Sequence, residues 1–317
     1  MGQRVGLGFK VGTSDIQGAR DYQEDSYAVC DPNGSNAAFE EIDSLSVAVA
    51  DGVGGEVAGN VASQTVVTVF SRAIQSRSDG EPWPDVLHSS LVQANEAVRN
   101  ATRQDPTLHG MASTLIAVLI NNDKLWWISV GDSHLYLIRK GLMTKLNADH
   151  SIGAVLNREV EAGNITPEEA AQDPRRNMLL SCIMGESLNE VDLSQRSVIL
   201  EKGDRLVLAT DGLNTLAMNN MVQISQLHTN AQAFAEALTY AVESQHEVNQ
   251  DNTQIVVVDL FEKQDTKTPS LFGGWVLYLA ALLAIVFAIL FFTGSVTPTP
   301  ESSIITQKPP TSSQTRP

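Results

Sequence analysis

Residues 113–146 limit the fold more than any other stretch of the chain. "STLIAVLIN" and "KLWWISVGD" are two strand-like runs joined through "NND", and "HLYLIRKGLMTKL" adds a strand, a Lys-Gly turn and a further strand. Links this short reverse the chain, because parallel strands need a crossover of about a dozen residues or more. Two more short runs follow, "DRLVLATDG" (204–212) and "QIVVVDLFE" (254–262). Helices are inserted as blocks. Residues 58–76 set Val61, Ala62, Val66, Val69, Phe70 and Ile74 among other apolar positions at helical spacing. Residues 84–104 repeat the pattern with Val86, Leu87, Leu91, Ala94 and Val98, after a "PWPD" entry with proline and an acidic first turn. "NAQAFAEALTYAVESQ" (230–245) reads as a third helix, and the polar segment 152–177 as a helix-prone excursion over the surface. Adjacent strand groups with helices between them predict an α+β fold with antiparallel sheets, not a doubly wound parallel one.

The chain has 317 residues, 43% of them apolar and 18% charged, which is the balance of a folded protein. Its net charge of −16, from 37 acidic against 21 basic residues, argues against nucleic acid as a partner. Cys30 and Cys182 are too few for a disulfide framework. Asn36 and Leu188, six positions after them, are not arginine, so the cysteine-nucleophile phosphatase loop is missing; so is a glycine-rich loop ending in Gly-Lys-Ser/Thr. The N-terminal "MGQRVGLGFKVGTSD" has no signal-peptide core, and Gly6 stands where a myristoylation signal needs Ser or Thr.

One segment differs from the rest. "LFGGWVLYLAALLAIVFAILFF", residues 271–292, is 22 residues without a charge. As a helix it spans about 33 Å, enough to cross a bilayer. Trp275 and Tyr278 sit near one end, Lys263 and Lys267 just before it, and the next basic residue is Lys308. The positive-inside rule then puts the preceding domain in the cytoplasm. The expected organisation is a soluble domain at 1–262, a linker at 263–270, a single transmembrane helix at 271–292 and a disordered Pro/Ser/Thr-rich tail at 293–317.

Carboxylates recur at strand ends. Asp51 ends "SVAVA", Asp132 ends "WWISVG", Asp211 ends "RLVLAT", Asp251 precedes "QIVVV", and Glu24 and Asp25 precede another strand-like run. A single such Asp is usually a cap or turn. Five groups together, several beside glycine, would repel one another unless a cation neutralises them. Oxygen donors without a His or Cys cluster favour Mg²⁺ or Mn²⁺ over zinc, and glycines let backbone carbonyls and water approach the ion.

The ordered series "RDYQED" (20–25), "DGVGG" (51–55), "MAST" (111–114), "VGDSHLY" (130–136), "DHS" (149–151), "ATDGL" (209–213) and "DNTQIVVV" (251–258) resembles the metal-dependent Ser/Thr protein phosphatases of the type 2C family, over about residues 12–260. The resemblance implies a four-layer αββα sandwich with a binuclear Mn²⁺ or Mg²⁺ centre at one end. It implies that Asp51 bridges both ions with the Gly52 carbonyl on one of them, that Asp211 and Asp251 hold the first, and that Glu24 holds the second. Asp25 then binds through water, Asp132 supports a third, weaker ion, and Arg20 holds the substrate phosphate bidentately.

Three positions depart from the family pattern: Gln23 for Asn, His134 for Arg, and Val53 where some relatives carry a His proposed as general acid. The leaving-group proton then comes from metal-bound water or from His150, whose other reading is a hydrogen-bonded structural residue. Two ions about 3.5–4 Å apart imply in-line attack by a bridging hydroxide, with no phosphoenzyme. The implied function is hydrolysis of phosphoserine and phosphothreonine on proteins, against a Ser/Thr kinase that the anchor suggests is membrane-associated. The alternatives are an inactive membrane-tethered phospho-binding module and a small-molecule phosphomonoesterase. Segment 152–177 matches the family's flap, where "DPRRN" offers Arg175 and Arg176 to a phosphopeptide or is a solvated turn.

Overall fold

The computed structural model describes residues 6–54 and 56–263. They belong to one compact unit, Met1–Gln264. The short reversals of residues 113–146 form as read. The turn between Arg139 and Leu142 has positive φ at both Lys140 (52°) and Gly141 (79°), the geometry whose twist matches a two-residue hairpin.

Every strand pairing among the described residues is antiparallel. One sheet runs in the order β1 (Leu7–Ile16), β13 (Thr253–Glu262), β12 (Arg205–Ala209), β8 (His134–Arg139), β9 (Leu142–Lys145). The second runs β10 (Asp192–Leu193), β7 (Lys124–Val130), β6 (Leu115–Asn121), β3 (Ser44–Ala50), β2 (Ser26–Cys30), with β11 (Val198–Ile199) also on β7. A small ladder joins β4 (Gly52–Val53) to β5 (Ala112–Ser113).

Three apolar layers show how these elements stack. Phe9, Val47, Val49, Ile116, Val118, Leu206, Leu208, Val256 and Val258 fill the space between the two sheets. Ala48, Ala117 and Leu119, facing the other way from β3 and β6, pack against Val66, Phe70, Leu87 and Leu91 of helices α1 (Glu56–Gln75) and α2 (Trp83–Gln104). Val207, Ile255 and Val257 pack against helices α5 (Met218–Leu227) and α6 (Ala231–Glu243) through Met221, Phe234, Ala235 and Leu238. Alternation along each strand therefore serves a face toward the partner sheet and a face toward helices, the expected four layers.

Strand β1 and helix α5 are additions to the sequence reading. β1 pairs with β13 over ten residues, from Leu7 opposite Glu262 to Ile16 opposite Thr253. Its glycine at position 12 lies directly under α6: a methyl group there would stand 2.3 Å from the carbonyl carbon of Ala231. The 152–177 excursion carries α3 (Ile152–Glu161), capped by Ser151, and α4 (Pro167–Gln172), opened by a Thr166/Glu169 capping box. Both cysteines are free. No helix among the described residues is long and apolar enough to cross a membrane. The expected linker from 264 onward, the 271–292 helix and the 293–317 tail lie outside the described residues.

Register brings the acidic strand ends together. Ala209 pairs with both Ile255 and His134, so Asp211 after β12, Asp251 before β13 and Asp132 before β8 share one edge. Ser26 pairs with Ala50, which sets Glu24 and Asp25 before β2 beside Asp51 after β3.

Candidate metal centre

These edges enclose a cavity of 210 Å³ lined by Arg20, Glu24, Asp51, Gly52, Asp132, Asp211 and Asp251, with Val53, Asn177, Leu179 and Asn252. Every candidate except Asp25 lines it. Asp25 is buried, and its Oδ2 accepts a 2.8 Å hydrogen bond from the Thr210 hydroxyl. Asn177 and Leu179 bring the end of the 152–177 excursion to the rim, as expected of a flap. A second cavity of 680 Å³ shares Asn177, Asp211 and Asp251 and continues past Arg176, Asn214 and Glu247.

Hydrogen bonds explain why the motifs are needed as a set. The Asp51 amide donates to Thr114 Oγ1 and the Thr114 amide returns to the Asp51 carbonyl, both at 2.9 Å. Thr114 Oγ1 also contacts Ser133 Oγ at 2.7 Å, which ties "MAST" and "VGDS" to the end of β3. Glu24 is fixed from across the sandwich: its amide donates to Asn252 Oδ1 at 2.9 Å, and Asn252 Nδ2 donates to the carbonyls of Gln17 and Tyr22. Beneath Glu24 the chain is pared to glycine. A Cβ at Gly59 would fall 2.2 Å from Glu24 Oε1, and one at Gly52 would fall 2.1 Å from the Gly59 carbonyl oxygen. Thr114, Asn252 and Gly59 were not singled out by sequence reasoning; Asn252 and Thr114 lay inside quoted motifs, and Gly59 looked like an ordinary helix position.

The histidines are structural. His150 Nδ1 accepts from the Gly131 amide at 3.2 Å, the hydrogen-bonded alternative, and burial lowers its pKa. His134 is fully enclosed, held neutral by burial with its pKa pushed down to about 3, and paired through Nε2 with Asn214 Oδ1 at 2.8 Å. Arg175 is exposed and ion-paired with Asp173 at 2.8 Å, and Arg176 bonds to Asn157, the solvated-turn alternative.

The carboxyls crowd one another in low dielectric. Burial pushes Asp25 up to about 8, Asp132 to about 7 and Asp211 to about 6, and repulsion among neighbouring aspartates adds to each. Asp51 is raised well above the carboxylate range, first by burial and then by Asp25, Asp211 and Asp132. Glu24 is raised by burial, against the pull of Arg20. Glu24 Oε1, Asp25 Oδ1 and Asp211 Oδ1 are buried without a hydrogen-bond partner, an arrangement that native interiors rarely tolerate.

Among the described residues Arg20 is the one basic residue lining the cavity. Its Nη2 donates to Asp251 Oδ2 at 2.5 Å, and its Nη1 stands 3.8 Å from Glu24 Oε2. Among the described residues no three His, Cys, Asp or Glu side chains are gathered closely enough to hold an ion as they stand. Orphaned buried oxygens, an all-oxygen donor set and glycine-cleared backbone fit a hard divalent cation.

The profile described as "Protein phosphatase 2C" matches residues 23–256. The chain belongs to the protein phosphatase 2C family. Among similar proteins, the serine/threonine protein phosphatase PstP of Mycobacterium tuberculosis is 31% identical over 232 residues, covering 72% of this chain and 43% of its own length. The chain thus spans less than half of that relative. A crystal structure of the M. tuberculosis phosphatase PstP/Ppp superposes with a TM-score of 0.67 at 28% identity, covering 80% of this chain and 99% of that one. The PstP catalytic domain in complex with two manganese ions superposes at 0.65 with 27% identity, covering 81% and 100%.

Proposed function

We propose that this chain hydrolyses phosphoserine and phosphothreonine on proteins, using two Mn²⁺ or Mg²⁺ ions held in the 210 Å³ cavity. One observation carries the reading: five carboxyl side chains from the ends of both sheets line that cavity with Asp25 buried behind them, three of the buried oxygens in this set lack partners, and among the described residues a single arginine lines the cavity. The manganese pair in the PstP catalytic domain supports the choice of ion.

In this reading Asp51, the Gly52 carbonyl, Asp211, Asp251 and Glu24 would hold the two ions, Asp51 being shared between them, with Asp25 acting through water and Asp132 supporting a third. The bound ions supply Lewis acidity, lowering the pKa of water and neutralising phosphoryl charge. The protein supplies position. The Asn252 bridge and the Thr114–Ser133 pair hold the carboxylates, and the half-exposed Arg20 reaches the phosphate. The adjoining 680 Å³ cavity gives the substrate chain a polar path past the flap. Neither His150, whose Nδ1 accepts from the Gly131 amide, nor His134, whose Nε2 pairs with Asn214, lines the cavity.

The decisive experiment follows phosphate release from a phosphothreonine peptide by residues 1–262 with Mn²⁺, Mg²⁺ or chelator, beside Asp51→Asn and Asp211→Asn. Metal-dependent turnover lost in both variants establishes the reading; no turnover from folded protein with any divalent ion favours a phospho-binding module. Water as nucleophile also requires that no phosphorylated protein intermediate be trapped during turnover.

The uncharged 271–292 segment supports a single membrane span with the phosphatase domain in the cytoplasm and a membrane-associated Ser/Thr kinase as its opponent. Membrane fractionation and protease protection of a tag after residue 317 test the topology.

A further inference from the structure

The Arg20 guanidinium is committed to two carboxylates from different sheets. Asp251 Oδ2, ahead of β13, accepts from Nη2 at 2.5 Å, and Glu24 Oε2, ahead of β2, lies 3.8 Å from Nη1. No other basic residue among the described ones lines the cavity, and half of the Arg20 side chain is open to solvent, so packing does not lock it in place. Asp251 and Glu24 are also the residues assigned above to different ions, and Arg20 is the residue assigned to the phosphate. These assignments compete. A divalent cation at about 2.1 Å from Asp251 Oδ2 would press against a guanidinium of like charge already bonded to that oxygen.

We propose that Arg20 is a built-in counterion that competes with divalent cations for Asp251 and Glu24, so that cation binding frees the arm that takes the phosphate. The proposal rests on the cation site described above. It makes Arg20 oppose ion binding while assisting phosphate binding. By linkage, phosphate that draws Arg20 away also tightens the ion. It also explains how a crowd of buried carboxylates folds before an ion arrives: one mobile cation, carried on the chain, spans the two sheet edges.

The test uses the full chain in mild detergent, with Mn²⁺ as the probe, binding read by calorimetry and stability by thermal unfolding in chelator and in saturating Mn²⁺. Arg20→Gln is expected to bind Mn²⁺ about threefold to tenfold more tightly than the wild type, the range expected for releasing a charged hydrogen bond that is partly screened. Its melting temperature is expected to fall below wild type in chelator and to match or exceed it in Mn²⁺. Arg20→Lys, which keeps the charge but cannot reach both oxygens, is expected between the two, and it decides the question if Arg20→Gln does not fold. Arg176→Gln, a charge removed from the neighbouring cavity, is expected to leave Mn²⁺ affinity unchanged. Unchanged or weaker Mn²⁺ binding in the Arg20 variants overturns the proposal, as does equal tightening by Arg176→Gln, which would mark a diffuse charge effect. A lower melting temperature in both chelator and Mn²⁺ marks a plain structural residue and overturns it too. A wild type that binds no Mn²⁺ overturns the cation site itself, a different failure.

Discussion

Strands β8, β12 and β13 each carry charge at both ends, and the two ends are treated in opposite ways. At the end away from the cavity, Asp204 is nearly fully buried and takes two hydrogen bonds from Arg139, at 2.8 and 2.5 Å. Asp259 is likewise held by the fork of Arg205, whose guanidinium also lies 4.6 Å over the Phe234 ring. Asp204 and Asp259 are each held by an arginine. At the other end, Asp132, Asp211 and Asp251 face Asp51, Glu24 and Asp25 with Arg20 alone among them. The same strands thus show a carboxylate paired for stability at one end and, at the other, carboxylates crowded in the cavity where we propose that a cation binds. Unpaired charge that a folded chain keeps is a sign of use.

The comparison breaks most visibly in turnover. Asp211→Asn is expected to lower metal-dependent phosphate release by about 100-fold or more, the scale of losing one preorganised electrostatic group, whereas Asp259→Asn leaves the cavity intact and activity near wild type at temperatures where it is folded. Stability should invert the ranking. Asp204→Asn removes the buried partner of Arg139, which keeps Glu201 and the Ile199 carbonyl, and is expected to cost about 2 kcal/mol in denaturant unfolding. Asp211→Asn relieves repulsion and is expected to leave stability in chelator unchanged or higher.

Acidity sharpens the contrast further. Because Asp25, Asp132 and Asp211 are raised to about 8, 7 and 6, the folded state binds more protons than the unfolded one between about pH 4 and pH 8. Stability in chelator is therefore present in full below about pH 4 for these groups and is lost as pH rises through their folded values. Melting temperatures across that range are expected to fall with pH in chelator and to flatten in Mn²⁺; an equal rise with pH in both would contradict the carboxylate assignment. The smallest effect belongs to the chain ends. Residues 1–262 are expected to melt and turn over a soluble phosphopeptide much as the full chain does.

Much of this was legible beforehand. The hairpins of 113–146, the two long helices and the acidic strand ends are written in periods and turn residues that local chemistry enforces. β1 was not, because glycines at 8 and 12 and polar residues at 10 and 13–15 blur its alternation, and its strand identity comes from β13, more than two hundred residues later. α5 packs mainly through Met221 and carries little periodic signal. At the site, the carboxylates could be named from their motifs. The roles of Gly59 under Glu24 and of Arg20 across Glu24 and Asp251 depend on pairs brought together only by the packing of both sheets.

The ten-residue ladder between β1 and β13 has a consequence for reach. β13 begins beside the cavity at Thr253 and runs straight to Glu262, about 30 Å at the usual rise of a strand. The chain therefore leaves the domain at the far pole from the mouth. Glu262 and Lys263 thus stand at the opposite end of β13 from the residues that line the cavity.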